Sequence, residues 1–243
     1  MLVKICGITS EGDALLSVAL GADAIGFVFA PSPRQVSPQA VRRITDRIPP
    51  EILTVGVFRN EAPKRVVEIV NSIGLRAAQL HGDETAEDTA WIAGRVPLVV
   101  KAFPAGHRNI EHLDSYGARY ILVDSQSPGS GKVFDWRLAE GVVDPARLIV
   151  SGGLSSDNVA DAISHLRPFG VDVSTGVESS PGVKDPRKVR SFVVAVRRAS
   201  GESDAALSGE IGVHEPLASY GRRANRISDV EAEAPLYDWN DDT

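Results

Sequence analysis

The chain has 243 residues, 43% hydrophobic and 24% charged, a composition that excludes a disordered protein, a collagen-like fibre and a disulfide scaffold. Residues 200–243 hold ten acidic and three basic residues, a net −7, which leaves residues 1–199 at +1 against −6 for the whole chain. A body so close to neutral lacks the field of a nucleic-acid-binding protein. No apolar run approaches the roughly 20 residues of a membrane span. Met1–Cys6 has neither the apolar stretch nor the small-residue cleavage site of a signal peptide, and the lone Cys6 cannot form an internal disulfide. The expectation is a soluble, cytoplasmic protein with no nucleic-acid or membrane partner.

In chain order, short apolar runs alternate with segments of helical period. A strand at Val3–Cys6 precedes a helix at Glu11–Leu20; Ala24–Phe29 precedes Pro38–Arg47; Leu53–Phe58 precedes Pro63–Ile73; Ala77–His81 precedes Thr85–Ala93. Leu98–Phe103 and Tyr120–Asp124 are followed by weaker helical segments, near Asn109–Ser115 and Asp135–Glu140. Leu148–Ser151 then precedes Ser156–Leu166, and Val171–Thr175 precedes Pro186–Ala199. Ser37-Pro38 and Asp185-Pro186 place proline at the first helical position. Strands apolar on consecutive residues predict burial on both faces of a parallel sheet. Eight such units in about 200 residues fit an α/β fold of the (β/α)8 TIM-barrel type. The competitor is an open doubly wound sheet, with five or six strands and a glycine-rich loop after the first. Here the paired glycines come late, at Gly152-Gly153, which favours the barrel. Beyond Ala199 the alternation stops. The predicted organisation is a catalytic barrel over 1–199 and a disordered acidic tail over 200–243, whose concentrated apolar residues are Pro235-Leu236-Tyr237 and Trp239.

In a barrel, functional side chains come from the C-terminal ends of strands and the loops after them. Those positions here are Cys6, Ser32-Pro33-Arg34, Arg59-Asn60, His81, Lys101, Asp124, Ser151-Gly152-Gly153 and Ser174-Thr175-Gly176. Side chains two apart share a strand face, which aligns Lys4 with Cys6, Gln79 with His81 and Asp172 with Ser174. Cys6 reads either as a small buried hydrophobe or as a base or nucleophile whose thiolate Lys4 favours. Asp124 reads either as a cap on the following loop or as a general acid. The glycines after the seventh and eighth strands predict a phosphate site lined by backbone N–H groups.

Seven segments together resemble the phosphoribosylanthranilate isomerase family. They are Lys4-Ile5-Cys6-Gly7-Ile8; Gly26-Phe27-Val28-Phe29 with Ser32-Pro33-Arg34; Gly56-Val57-Phe58; Gln79-Leu80-His81-Gly82; Leu122-Val123-Asp124; Ser151-Gly152-Gly153; and Asp172–Glu178. They run in order over residues 1–199. The resemblance implies an Amadori rearrangement in tryptophan biosynthesis, with a small phosphosugar substrate and no cofactor or metal. It implies Asp124 as the acid, Cys6 as the base, and Arg34 against the anthranilate carboxylate. Gly152, Gly153 and Gly176 would hold the phosphate, and His81 and Asp172 would line the site. Two alternatives stay open: a Schiff-base aldolase using Lys4 or Lys101, and a non-enzymatic sensor of phosphoribosyl ligands. Whether the protein is a monomer or a homodimer is left undecided.

Overall fold

A computed structural model describes residues 1–125 and 144–201; the weak segment Asp135–Glu140 and the expected tail beyond Gly201 lie outside them. Eight parallel strands close into a barrel in sequential order: β1 (Leu2–Cys6), β2 (Ala24–Val28), β3 (Leu53–Phe58), β4 (Ala77–Leu80), β5 (Val99–Pro104), β6 (Tyr120–Asp124), β7 (Leu148–Val150) and β8 (Gly170–Val173). The open-sheet alternative is excluded by the pairing of β1 with β8. Around the barrel lie α1 (Glu11–Ala19), α2 (Pro38–Thr45), α3 (Pro63–Ile73), α4 (Ala86–Ala93), α5 (Val159–Leu166) and α6 (Pro186–Ala199). An antiparallel hairpin, β9 (Glu178–Ser180) and β10 (Val183–Lys184), fills the connection from β8 to α6. Among the described residues, no helix is long and apolar enough to cross a membrane.

Helix starts follow local chemistry. Ser10, Ser37 and Thr85 each accept a backbone N–H of the first turn, and Asp185 accepts two, from Arg187 and Lys188. After β5 the chain forms two short 3-10 turns within Arg108–Tyr116, separated by a kink at His112 (φ −107°, ψ 23°), rather than an α-helix. The buried side chains of this segment, Ile110, Leu113 and Tyr116, recur every third residue, the period of a 3-10 turn. The predicted helix from Ser156 begins at Val159, because Asn158 is occupied elsewhere: its Oδ1 accepts from Ser155 N (2.8 Å) and its Nδ2 donates to the Gly153 carbonyl (2.9 Å).

Register decides which side chains face inward. Lys4 is level with Ala24 and Asp172, Cys6 with Gly26, Gln79 with Val57 and Val100, and Asp124 with Pro104. The opposite set, including Val3, Ile5, Ile25, Leu80, Ile121, Val150 and Val171, packs against the helices as one continuous apolar cluster. Lys4, Cys6, Gln79, Asp124 and Asp172 therefore project into the barrel on the side away from the helices. At the N-terminal end, Arg197 of α6 donates to the carbonyls of Met1 (2.7 Å) and Gly21 (3.0 Å) and to Asp23 (2.8 Å). Asp23 in turn accepts from Val3 N at 2.7 Å, so α6 is bonded to β1.

Candidate active site

Cys6 ends β1, and its strand-mate Lys4 lies one layer deeper, 2% exposed, donating to Asp172 Oδ1 at 2.9 Å. Gly26, level with Cys6 on β2, leaves the space these groups need: a Cβ there would sit 2.8 Å from Cys6 Sγ and 3.1 Å from Lys4 Nζ. Burial pushes the Cys6 thiol above its ordinary value; the Lys4 ammonium opposes that shift, and the Asp172 carboxylate adds to it. Asp172 and Cys6 in turn hold the Lys4 amine above its usual value against its burial, which keeps it charged. In the ligand-free protein, alkylation of Cys6 by iodoacetamide is thus expected to rise with pH, with its midpoint above that of an ordinary thiol. Lys4→Met should move the midpoint further up. A midpoint below that of an unburied thiol, or one indifferent to Lys4, would contradict this account.

Arg34 lies in the loop after β2. Its Nε and Nη2 donate to Glu178 Oε1 and Oε2 at 2.8 and 2.6 Å, leaving Nη1 without a partner among the described residues. Although burial favours the neutral acid, Arg34 and Lys184 hold the Glu178 carboxyl below its usual value. Across the mouth, His81 stands with Nε2 3.2 Å from Asp124 Oδ2, close but off the line of a hydrogen bond. Its Nδ1 is 3.2 Å from Gln79 Nε2; with that amide as donor, the ring proton sits on Nε2, facing Asp124. Asp124 Oδ1 accepts from Ser125 N at 2.7 Å.

Lys101 does not join this group. It is level with Leu80 and Ile121, hence on the helix side of the wall, where its ammonium meets Glu84 (2.7 Å) and the Gly82 carbonyl (2.7 Å). Glu84 also accepts from Asn60 N and Gly82 N, pinning the loops after β3 and β4 together just beside His81. Despite its burial, Lys101 and these two amides lower the Glu84 pKa. A depressed carboxylate stabilises the fold fully above its unfolded pKa and loses that contribution as pH falls through the folded value. Glu84→Gln, which strands the Lys101 charge, is expected to cost about 3 kcal/mol at neutral pH. The gap in thermal stability from the parent should narrow below about pH 4.5, as Glu84 itself becomes protonated. A gap constant with pH would mean that the pair contributes no charge-dependent stability.

The two glycine-bearing loops adjoin at the mouth. Gly152 and Gly153 have φ of 86° and 66°, left-handed values that a side chain resists. A Cβ on Gly152 would strike Ser125 N and meet Asp124 Oδ1, and one on Gly176 would strike the Leu154 carbonyl. Glycine is thus required where backbone packs on backbone. The N–H groups of Gly152, Gly153, Thr175 and Gly176 donate to no acceptor among the described residues. Thr175–Val177 form the short 3-10 turn after β8. Four adjacent free donors suit an anion.

The sequence-derived site residues Cys6, Arg34, His81, Asp124, Gly152, Gly153, Asp172 and Gly176 all lie at or beside the C-terminal mouth. Sequence reasoning passed over Gly26 as the spacer beside the thiol, Glu178 as the clamp on Arg34, and Lys184. Among the described residues, no group of three His, Cys, Asp or Glu could hold a metal ion.

A (β/α)8 barrel with a thiol, a carboxyl and an anion-ready loop pair at its mouth defines the class of protein. Residues 3–195 match the family model described as N-(5'-phosphoribosyl)anthranilate (PRA) isomerase. The isomerase of Desulforudis audaxviator is 47% identical over 205 residues, covering 82% of this chain and 98% of that protein. The crystal structure of the Thermus thermophilus phosphoribosyl anthranilate isomerase aligns with a TM-score of 0.76 at 38% identity, covering 82% of this chain and 99% of that one. That of the Thermotoga maritima isomerase aligns with a TM-score of 0.72 at 45% identity, covering 83% and 99%. A further structure, 44% identical with a TM-score of 0.71 over 83% of this chain and 100% of that one, is an isomerase in complex with reduced 1-(o-carboxyphenylamino)-1-deoxyribulose 5-phosphate. The chain belongs to the N-(5'-phosphoribosyl)anthranilate isomerase family.

Proposed function

We propose that this chain converts N-(5'-phosphoribosyl)anthranilate to 1-(2-carboxyphenylamino)-1-deoxyribulose 5-phosphate in tryptophan biosynthesis, with Asp124 as general acid and Cys6 as general base. One observation carries the reading. The carboxyl on β6 and the thiol on β1 flank the two loops, on β7 and β8, whose Gly152, Gly153, Thr175 and Gly176 N–H groups have no acceptor among the described residues. A phosphate held by those donors places the sugar between acid and base, and the anthranilate ring toward Arg34 on the β2 side.

The chemistry then runs in two proton transfers. Asp124 delivers a proton to the ring oxygen as the C1–O bond breaks, and the nitrogen lone pair forms the protonated imine. The Cys6 thiolate removes the proton on the sugar's second carbon, and the electrons flow to nitrogen to give the enolamine. Loss of the enol's O–H proton and protonation of the first carbon complete the aminoketose. Lys4 serves the base by offering a positive charge beside the thiolate. His81 stands beside Asp124, where its Nε2 faces the acid that must be reprotonated.

Schiff-base chemistry on the protein requires a free amine, whereas Lys4 is paired with Asp172 and Lys101 with Glu84. The deciding experiment follows the loss of phosphoribosylanthranilate fluorescence with purified full-length protein. Turnover without borohydride-trappable adduct is expected; substrate binding without turnover would leave a sensor. The reading includes a cytoplasmic location, which the lone cysteine supports.

A further inference from the structure

Lys184 sits in β10, far from the barrel strands in sequence, yet its side chain is completely buried (0% exposed). Its Nζ donates to three oxygens on three parts of the mouth: Cys6 O at 2.6 Å, Glu178 Oε1 at 2.9 Å and Ser174 O at 3.4 Å. Burial lowers the pKa of this amine, and Glu178 opposes that shift; the three acceptors match the three donors of the ammonium form. Glu178 Oε1 receives both Lys184 Nζ and Arg34 Nε. This arrangement resolves a difficulty. An arginine held bidentate by a glutamate is a neutral pair, and a neutral pair attracts a second carboxylate poorly. The Lys184 charge on the same oxygen offsets Glu178 and returns the three-residue group to a net positive charge. Arg34 Nη1, the edge left open by Glu178, then belongs to a cationic rather than a neutral surface.

We propose that Lys184 is the specificity-determining positioning residue for the carboxylate end of the substrate: through Glu178 it fixes Arg34 and keeps the Arg34–Glu178–Lys184 group cationic. The inference rests on the reading above that Arg34 meets the anthranilate carboxylate. It assigns the hairpin after β8 a purpose in recognition, since Lys184 and Glu178 are level with each other across it.

The test is an affinity ratio. Two ligands are titrated by calorimetry into the full chain: reduced 1-(o-carboxyphenylamino)-1-deoxyribulose 5-phosphate, and the same compound without its carboxylate. Arg34→Ala is expected to lower the preference for the carboxylate ligand about tenfold, the loss of a charge-assisted hydrogen bond. Lys184→Met should lower the same preference at least about threefold, through the lost charge and the loosened Glu178. In the Arg34→Ala background, Lys184→Met should lower it by less than it does in the parent, because the part of its effect that passes through the position of Arg34 is gone. If Arg34→Ala leaves the preference intact, the assignment of Arg34 falls and takes this inference with it. If Arg34→Ala lowers it and Lys184→Met does not, only the inference falls. Additive losses would also overturn it, by showing that Lys184 acts independently of Arg34. Should Lys184→Met fail to fold, Lys184→Gln carries the same comparison, keeping a donor for the Cys6 carbonyl while removing the charge.

Discussion

Cys6→Ser and Asp124→Asn are each expected to lower kcat by about 10² or more, the scale of losing a general base or acid. Serine at position 6 preserves size and polarity, but its hydroxyl ionises far above any working pH. The buried Lys4 ammonium that helps a thiolate cannot bring an alkoxide into range. Asparagine at position 124 keeps an oxygen for the Ser125 N–H, so the hydrogen bond that holds Ser125 is retained. What it lacks is a transferable proton. KM should change far less in both variants, because neither side chain is placed against the phosphate or the carboxylate. Near-normal turnover in either folded variant would sink the assigned mechanism.

The second large effect is expected at the phosphate loops. Gly153→Asp sets a carboxylate among the donors of Gly152, Gly153, Thr175 and Gly176. Two like charges about 5 Å apart repel by about 3 kcal/mol at an effective dielectric of about 20, which is roughly a hundredfold in KM. The left-handed φ of 66° adds backbone strain, so the control is Gly153→Asn. Asparagine has the same shape, tolerates that conformation better than most residues and carries no charge. The difference between the two variants isolates electrostatics from strain. Equal KM values for Asp and Asn would mean that no anion binds there.

Much of the barrel is legible in the sequence because strands buried on both faces leave unbroken apolar runs. Leu53–Phe58, Pro63–Ile73, Tyr120–Asp124 and Pro186–Ala199 begin and end where the patterns do. The parity argument linking Lys4 to Cys6 works because both lie in β1, and it carries one residue past the end of β4 for Gln79 and His81, whose side chains meet at 3.2 Å. Lys101 shows the limit. Its place near a strand end says nothing about which face it takes, and only its register with Leu80 and Ile121 puts it on the helix side. Glu178 and Lys184 were illegible for a different reason. Their partners, Arg34 and the Cys6 carbonyl, are 144 and 178 residues away, and no local period encodes a contact of that reach. The 3-10 turns after β5 left a trace in the three-residue spacing of Ile110, Leu113 and Tyr116, whereas the kink at His112 between them left none.

The Lys4–Asp172 pair spans 168 residues and lies on the seam where β1 meets β8. During synthesis the N-terminal strand therefore emerges first, carrying the thiol, and waits for nearly the whole barrel before its seam neighbour exists. Contacts of such separation are slow to form because most of the loop-closure entropy is lost before they repay it. Until then Lys4 has no carboxylate at Asp172, Arg197 has not reached Met1, and β1 offers an unpaired edge. Ring closure and assembly of the charge environment around Cys6 are consequently one event. A refolding population can be sorted by the reactivity of one thiol, and fragments that end before β8 carry every residue of β1 yet none of its chemistry.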